Sequence, residues 1–98
     1  MIARLTPEAA ADVREARAWY ASLNPRLARD FMLELDFCVS MLERSPELAQ
    51  RVDAQLRRAL LRRFPYGVFY VVEVNEVVVL ACLHGRRSPT AWRVRTRP

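Results

Sequence analysis

Two stretches of the N-terminal half repeat apolar residues at the period of a helix. The first stretch has one apolar face, made of Ala9, Val13, Ala16, Tyr20 and Leu23. Their spacing of three or four positions is that of one side of a helix. The second stretch has a wider apolar face, made of Leu27, Phe31, Met32, Leu35, Phe37, Cys38, Val39 and Leu42. We expect so wide a face to be buried on two sides, against the first helix and against a sheet.

Capping residues mark the ends of both helices. The first begins at Thr6-Pro7-Glu8, which supplies a hydroxyl cap, a proline at the first helical position and an acidic residue near the positive end of the dipole. Asn24-Pro25 ends this helix and starts the second, which Ser45-Pro46 ends. The short link makes the helices antiparallel neighbours. Tyr20 lies on the apolar face and is expected in the core, whereas Trp19 is expected to be partly exposed near the turn.

Four further stretches predict strands, three of them mainly apolar and one, Gln55 to Arg63, a mixture of apolar residues and arginines with imperfect alternation. They are Ile2 to Leu5, Gln55 to Arg63, Val68 to Val74 and Glu76 to Leu83, with a bend at Pro65-Tyr66-Gly67. The last two strands are apolar on both faces and are joined through an asparagine, which is typical of a hairpin inside a sheet. We therefore predict one α+β domain over residues 1–98. In it, an antiparallel helical hairpin packs on a small, mainly antiparallel sheet in the order β-α-α-β-β-β, with the first strand at an edge.

Composition fits a folded domain of this kind. The chain has 98 residues, 52% of them hydrophobic, and two glycines, which excludes a disordered tail. Its longest apolar run, Val77 to Leu83, is too short to cross a bilayer. The N-terminus lacks the apolar stretch of a signal peptide, so a cytoplasmic location is expected. Cys38 and Cys82 lie in apolar surroundings without a CxxC motif and are expected to be free buried thiols, and no metal or cofactor is expected.

Charge is distributed unevenly along the chain. All 16 basic residues are arginines. Residues 1–53 hold seven arginines against nine acidic residues, net −2, whereas residues 54–98 hold nine against two, net +7, in agreement with the total of +5. The C-terminal half is therefore suited to nucleic acid or to an acidic partner. The alternative is a basic domain without a polyanionic partner.

The segment LHGRRSPTAW follows the last predicted strand and holds the only histidine, His84. Histidine titrates near neutral pH, so His84 is a candidate general acid or base, with Arg86 and Arg87 as further weak catalytic candidates. No carboxylate is close in sequence and no serine or cysteine is an evident nucleophile, which leaves a structural hydrogen-bonding role open. The residues expected to contact a target or a polyanion are Arg62, Arg63, His84, Arg86, Arg87, Trp92 and Arg93.

Three segments resemble the RelE/ParE superfamily of toxins from type II toxin–antitoxin systems. They are LTPEAAADVREARAWYASLNPRLARDF, MLERSPEL and RRFPYGVFYVVEVNEVVVLACLHGRRSPTAW, and together they span almost the whole chain. The resemblance implies a growth-inhibiting toxin of the kind found in plasmid stabilisation. It also implies a small acidic antitoxin from an adjacent gene, whose C-terminal segment wraps the toxin. Some members cleave mRNA on the ribosome, and others act on DNA gyrase.

The residues that distinguish these branches favour the ParE-like one. Aligned by strand pattern, the RelE-like catalytic arginines fall at Gly67 and Ser88 and the terminal tyrosine at Trp92. An indole N–H only donates, so Trp92 cannot relay a proton. Arg86 or Arg87 is placed to take the part of a missing arginine, so the alternative, a ribosome-dependent mRNA endoribonuclease, stays open. A nucleic-acid-binding module without toxicity is the weakest interpretation, because no ladder of stacking aromatics accompanies the arginines.

An antitoxin-binding surface is expected where apolar area exceeds what 98 residues can cover. An open sheet edge and the wide helical face are such areas, and a partner strand or helix would cover them. The residues assigned to this surface are Leu23, Leu27, Phe31, Leu48, Val52, Arg57 and Arg58. The five apolar members are expected to be partly accessible in the free toxin.

Overall fold

The computed structural model describes residues 1–85. The elements are β1 (Ile2–Leu5), α1 (Pro7–Leu23), α2 (Pro25–Arg44), β2 (Gln50–Asp53), β3 (Leu56–Leu60), β4 (Tyr66–Val72) and β5 (Glu76–His84). The strands form one sheet in the order β1-β5-β4-β3-β2. β1 runs parallel to β5, and the other pairs are antiparallel. The predicted fold class, a helical hairpin on a mainly antiparallel sheet, is confirmed.

The two helices begin and end at the predicted caps. The Thr6 hydroxyl accepts the N–H of Ala9 at 3.1 Å, and the Asn24 side-chain oxygen accepts the N–H of Arg26 at 2.9 Å. The Asn24 backbone N–H donates to the carbonyl of Tyr20 at 2.9 Å. One residue therefore caps the end of α1 and the start of α2, which keeps the link short and the helices antiparallel.

The main core lies between the helices and one face of the sheet. Four aromatic rings fill its end near the helix turn: Tyr20 lies 4.9 Å from Phe64, and Phe31 lies 5.4 Å from Tyr66, between ring centroids. Pairs at this separation add to the energy of burial. The predictions for the two aromatic residues of α1 are confirmed, because Tyr20 packs against the core and 59% of Trp19 is exposed.

The opposite face of the sheet carries a second apolar cluster, made of Leu56, Phe69, Ala81 and Leu83. β4 and β5 contribute buried residues to both clusters, as their sequences predict. The faces are assigned by the strand register, in which Arg57 lies opposite Tyr70 and Arg58 opposite Phe69. These two neighbouring arginines therefore lie on opposite faces of the sheet.

The structure adds one strand that was not predicted and moves several strand boundaries. β4 ends at Val72 rather than Val74, and β5 ends at His84 rather than Leu83. β2 was not expected, because its sequence, QRVD, is polar and lacks the apolar alternation of a strand. β3 ends at Leu60 rather than Arg63, since the carboxylate of Glu34 holds the following loop by its backbone N–H groups. β4 begins at Tyr66 rather than Val68, because the bend lies just before it and Gly67 is an extended strand residue.

The wide apolar face of α2 is not fully buried. Phe31 has no exposed area, so its predicted accessibility is wrong: it faces the core between α1 and the sheet. Phe37 was predicted to be buried, yet 65% of it is exposed, because it lies on a different side of α2 from the buried residues Leu35 and Leu42. Among residues 1–85, no helix combines the length and the apolar character that a membrane crossing requires.

Carboxylates on the helices link the helical layer to the sheet by hydrogen bonds. Asp12 of α1 accepts the N–H of Cys82 in β5 at 2.9 Å, and Glu43 of α2 accepts the N–H of Ala3 in β1 at 2.7 Å. Glu34 accepts from the β3–β4 loop in the same way. Backbone N–H groups that have no partner strand are thereby satisfied by side chains.

Candidate functional site: an apolar groove and an aromatic cleft

An open groove of about 870 Å³ runs between α2 and β3. We call it the apolar groove. Its four most exposed apolar side chains are Phe37, Met41, Leu48 and Leu60, with 65%, 38%, 77% and 61% of their surfaces exposed. Four large apolar side chains so close together form a patch of the kind that marks a protein interaction surface.

The rim of the apolar groove carries more positive than negative charge. Arg58, Arg62 and Arg63 line it together with Glu34. Arg63 forms an exposed ion pair with Asp30 at 3.4 Å, and its guanidinium lies 5.4 Å from the ring centre of Phe64. The Glu34 carboxylate is occupied by loop N–H groups. A segment that carries both apolar and acidic side chains is complementary to such a surface.

The sheet edge beside the apolar groove is formed by β2. Within the described chain β2 pairs with β3 alone, so its outer backbone groups are open to a further strand. Arg57 donates to the carbonyls of Glu47 and Ala49 at 2.9 and 2.7 Å and fixes the segment that leads into β2. Arg57 was predicted to contact the antitoxin, and its guanidinium already binds its own chain.

The residues predicted for the antitoxin surface do not form one patch. Leu48 and Arg58 line the apolar groove, and Val52 packs against the second cluster of the sheet. Leu23 and Leu27 lie at the link between the helices, at the other end of α2. Leu23 and Leu48 are more than half exposed and Leu27 and Val52 are partly exposed, as expected.

Sequence reasoning missed three groove residues, Phe37, Met41 and Leu60. Leu33, Phe37 and Met41 follow one another at intervals of four along α2 and form a second, exposed stripe. This spacing could have predicted a second apolar stripe on α2, but in the sequence its residues alternate with those of the buried stripe. Only the position of the sheet shows which of the two stripes is buried.

A second concave site lies between α1 and the adjoining ends of β4 and β5. We call it the aromatic cleft. It is open to solvent and has a volume of about 600 Å³, and among the described residues it is lined by Glu15, Ala18, Trp19, Tyr66 and His84. The Tyr66 and His84 rings are 5.5 Å apart at 76°, an edge-to-face pair. A small recess of about 30 Å³ below it reaches Asp12. The fold therefore brings two carboxylates beside His84, although none is near it in sequence.

The residues predicted to contact a target or a polyanion lie in two separate places. Arg62 and Arg63 lie at the rim of the apolar groove, whereas His84 lies in the aromatic cleft. The other predicted contact residues lie outside the described residues; they are Arg86, Arg87, Trp92 and Arg93. Two positions of the RelE-like comparison, Ser88 and Trp92, lie outside them as well.

Gly67, the remaining position of that comparison, is buried in β4. A Cβ there would lie 3.2 Å from Cγ of Arg58 and 3.3 Å from the ring of Phe69. A side chain at position 67 would therefore require the side chains of Arg58 and Phe69 to shift by a few tenths of an ångström.

Neither cysteine is a nucleophile at neutral pH. Burial raises the pKa of the Cys38 thiol to about 11 and that of Cys82 to about 12, and the carboxylates of Glu34 and Asp12, respectively, add to the shift. Both thiols therefore stay protonated at pH 7, and both are free. In residues 1–85, no three His, Cys, Asp or Glu side chains are grouped to hold a metal ion.

A helical hairpin on a five-stranded sheet, with an open apolar groove rimmed by arginines, is a small α+β domain suited to binding another protein. A family model described as the ParE toxin of the type II toxin–antitoxin system parDE matches residues 3–89. The chain therefore belongs to the ParE family of type II toxins, and its predicted place in the RelE/ParE superfamily is confirmed.

Structural comparison agrees with this family. The chain is similar to a protein of the chromosomal ParDE toxin–antitoxin system from P. aeruginosa, with a TM-score of 0.76 and 22% sequence identity. The match covers 86% of this chain and 95% of that chain, which shows a shared fold. A comparison with curated proteins gave no match.

Proposed function

We propose that this ParE-family toxin acts in the cytoplasm by binding a protein target, DNA gyrase. We also propose that a cognate antitoxin neutralises it by filling the apolar groove. The observation that carries the second proposal is the set of four exposed apolar side chains between α2 and β3 on a toxin fold. An uncovered surface of this kind favours a partner in the resting state.

The chemistry of the apolar groove specifies the antitoxin segment. An amphipathic helix would place its apolar side chains against Phe37, Met41 and Leu60, and its acidic ones against Arg62 and Arg63 at the rim. A following extended piece would find open backbone groups along β2. The segment is therefore acidic as well as apolar, as the antitoxin from the adjacent gene is expected to be.

A charge placed in the apolar groove tests the antitoxin proposal. Phe37→Asp should weaken antitoxin binding by about a hundredfold or more, the effect of removing a buried aromatic anchor from an interface. Val74→Asp is the matched control, because Val74 is 87% exposed in the turn between β4 and β5 and does not line the groove. Calorimetric titration with purified antitoxin measures both. Equal affinity for Phe37→Asp and the native toxin would refute the groove assignment.

We propose DNA gyrase as the target because the residues that distinguish the two branches favour the ParE-like one. Position 67, where the RelE-like comparison has a catalytic arginine, is a buried glycine packed against Arg58. This difference favours binding over RNA cleavage. Purified toxin added to DNA gyrase should inhibit supercoiling and leave cleaved DNA. Unchanged supercoiling at toxin concentrations that arrest growth would refute gyrase as the target.

The surroundings of His84 favour a second candidate function, that of a ribosome-dependent mRNA endoribonuclease. His84 shares the aromatic cleft with Tyr66 and Glu15, and a histidine beside a carboxylate is a recurring proton-transfer pair. Primer extension on mRNA after induction distinguishes the candidates. Cuts within translated codons that disappear in His84→Ala would establish the nuclease and displace the gyrase proposal.

A further inference from the structure

A third concave surface lies between α1 and α2, and we call it the hairpin groove. It is open to solvent, has a volume of about 790 Å³ and takes all of its described lining from the two helices. Its apolar side chains include Ala18, Ala21, Met32 and Leu33, of which Leu33 is 62% exposed. The small side chains on α1 would let a partner helix pack close to the hairpin, and Leu33 would give it an apolar contact.

The charged side chains of the hairpin groove are mainly basic. They are Arg14 and Arg17 of α1, and Arg29 and Asp36 of α2. The two ion pairs found within residues 1–85 involve other arginines, so these three guanidinium groups keep their capacity for an acidic partner. The groove therefore combines an apolar strip with an excess of positive charge.

We propose that the hairpin groove binds an acidic amphipathic helix of a partner protein. Leucine or alanine side chains of such a helix would pack on Ala21 and Leu33, and carboxylates on its flanks would pair with Arg17 and Arg29. A guanidinium can bind a carboxylate through two parallel N–H bonds, which fixes the orientation of the partner as well as adding affinity. Charge complementarity thus selects an acidic helix from among apolar ones.

The hairpin groove is separate from the apolar groove, although α2 contributes to both. Arg29, Met32 and Asp36 line the hairpin groove, whereas Cys38 and Met41 line the apolar groove. At about 3.6 residues per turn, these two sets lie on opposite sides of α2. The two surfaces can therefore be occupied at the same time, and the proposal goes beyond the antitoxin segment assigned to the apolar groove.

The lining of the hairpin groove disfavours two other occupants. A second copy of the toxin docked hairpin to hairpin would bring the arginines of the two copies together, and like charges repel. A nucleic acid would meet the arginines, but it would place its charged backbone on the apolar side chains of Met32 and Leu33.

Chemical-shift titration of the ¹⁵N-labelled full chain tests the proposal. The probe is a synthetic helical peptide with leucine and alanine on one face and glutamate on both flanks, and the comparison peptide has glutamine in place of each glutamate. The acidic peptide should shift the backbone amides of Ala18, Ala21 and Leu33. The glutamine peptide should bind about tenfold more weakly or worse, because charge-assisted hydrogen bonds are lost. The acidic peptide should bind the toxin–antitoxin complex as it binds the free toxin.

Arg17→Gln should weaken binding of the acidic peptide by about tenfold, the loss of one charge-assisted hydrogen bond. Arg44→Gln is the matched control, because Arg44 is an exposed arginine of α2 that does not line the hairpin groove. Preserved backbone spectra show that each variant is folded. If Arg17→Gln does not fold, Leu33→Ala takes its place and should also weaken binding, through the loss of an apolar contact.

Equal binding of the two peptides, or equal binding by Arg17→Gln and the native toxin, would overturn the proposal. Loss of peptide binding in the toxin–antitoxin complex would also overturn it and assign the hairpin groove to the antitoxin. Shifts of the same amides on dilution of the toxin alone would assign the groove to a second copy. Tighter binding of a duplex DNA oligonucleotide at these amides would assign it to nucleic acid.

Discussion

Glu34 joins α2 to the β3–β4 loop, because its carboxylate accepts the backbone N–H groups of Arg62 and Arg63. Asp12 and Glu43 make equivalent bonds to strand residues. The acidic residues of the N-terminal half thus act as acceptors for the sheet, as well as giving that half its net charge of −2. The charge count alone suggests only a solvated surface.

Removal of the Glu34 carboxylate should destabilise the toxin. Glu34→Ala leaves two loop N–H groups without their acceptor and should lower the free energy of unfolding by about 1 to 2 kcal/mol. Asp36→Ala is the control, since Asp36 is an exposed carboxylate two positions away on the same helix. Urea denaturation followed by circular dichroism measures both. Equal midpoints for the two variants would show that the loop does not depend on Glu34.

At the scale of elements, the β2–β3 hairpin carries a strained residue. Ala54 lies in the turn between β2 and β3 and has a φ of 26°, in the positive range that glycine adopts more easily than other residues. The hairpin also forms the open sheet edge beside the apolar groove. Strain in its turn therefore affects the stability of a candidate binding surface.

Ala54→Gly should stabilise the chain by about 0.5 to 1 kcal/mol, because relief of the left-handed conformation outweighs the extra entropy of glycine in the unfolded state. Ala59→Gly, inside β3, should instead destabilise it by a similar amount. Thermal unfolding by calorimetry compares the two. A lower melting temperature for Ala54→Gly would show that Ala54 is not strained in solution.

At the scale of the whole molecule, charge and apolar surface have different roles in antitoxin binding. The arginines of the C-terminal half produce a positive field that attracts an acidic antitoxin from a distance. The side chains of the apolar groove act only on contact. Attraction controls the association rate, and packing controls dissociation.

Salt should therefore change mainly the rate at which antitoxin and toxin associate. Raising salt from about 0.05 M to about 0.5 M should slow association by about tenfold or more and change dissociation little. Phe37→Asp should show the opposite pattern, with faster dissociation at any salt concentration. Surface plasmon resonance resolves the two rates. An association rate that does not change with salt would show that long-range electrostatic attraction does not contribute to antitoxin binding.

The sequence by itself determined the helical hairpin, its caps and the two central strands. These elements follow from local chemistry. Thr6 and Asn24 cap their helices whatever the helices pack against, and runs of β-branched residues form strands when they are buried. The fold class and the family followed from their order along the chain. The charge asymmetry is likewise a property of the sequence alone.

Tertiary structure decided which apolar and charged residues are available to a partner. Phe31 and Phe37 lie on the same helix, yet one is fully buried and the other 65% exposed, because the sheet covers only part of α2. β2 forms because β3 offers it an edge, not because QRVD favours a strand. The carboxylates beside His84 come from α1, about 70 residues earlier, and packing alone brings them together.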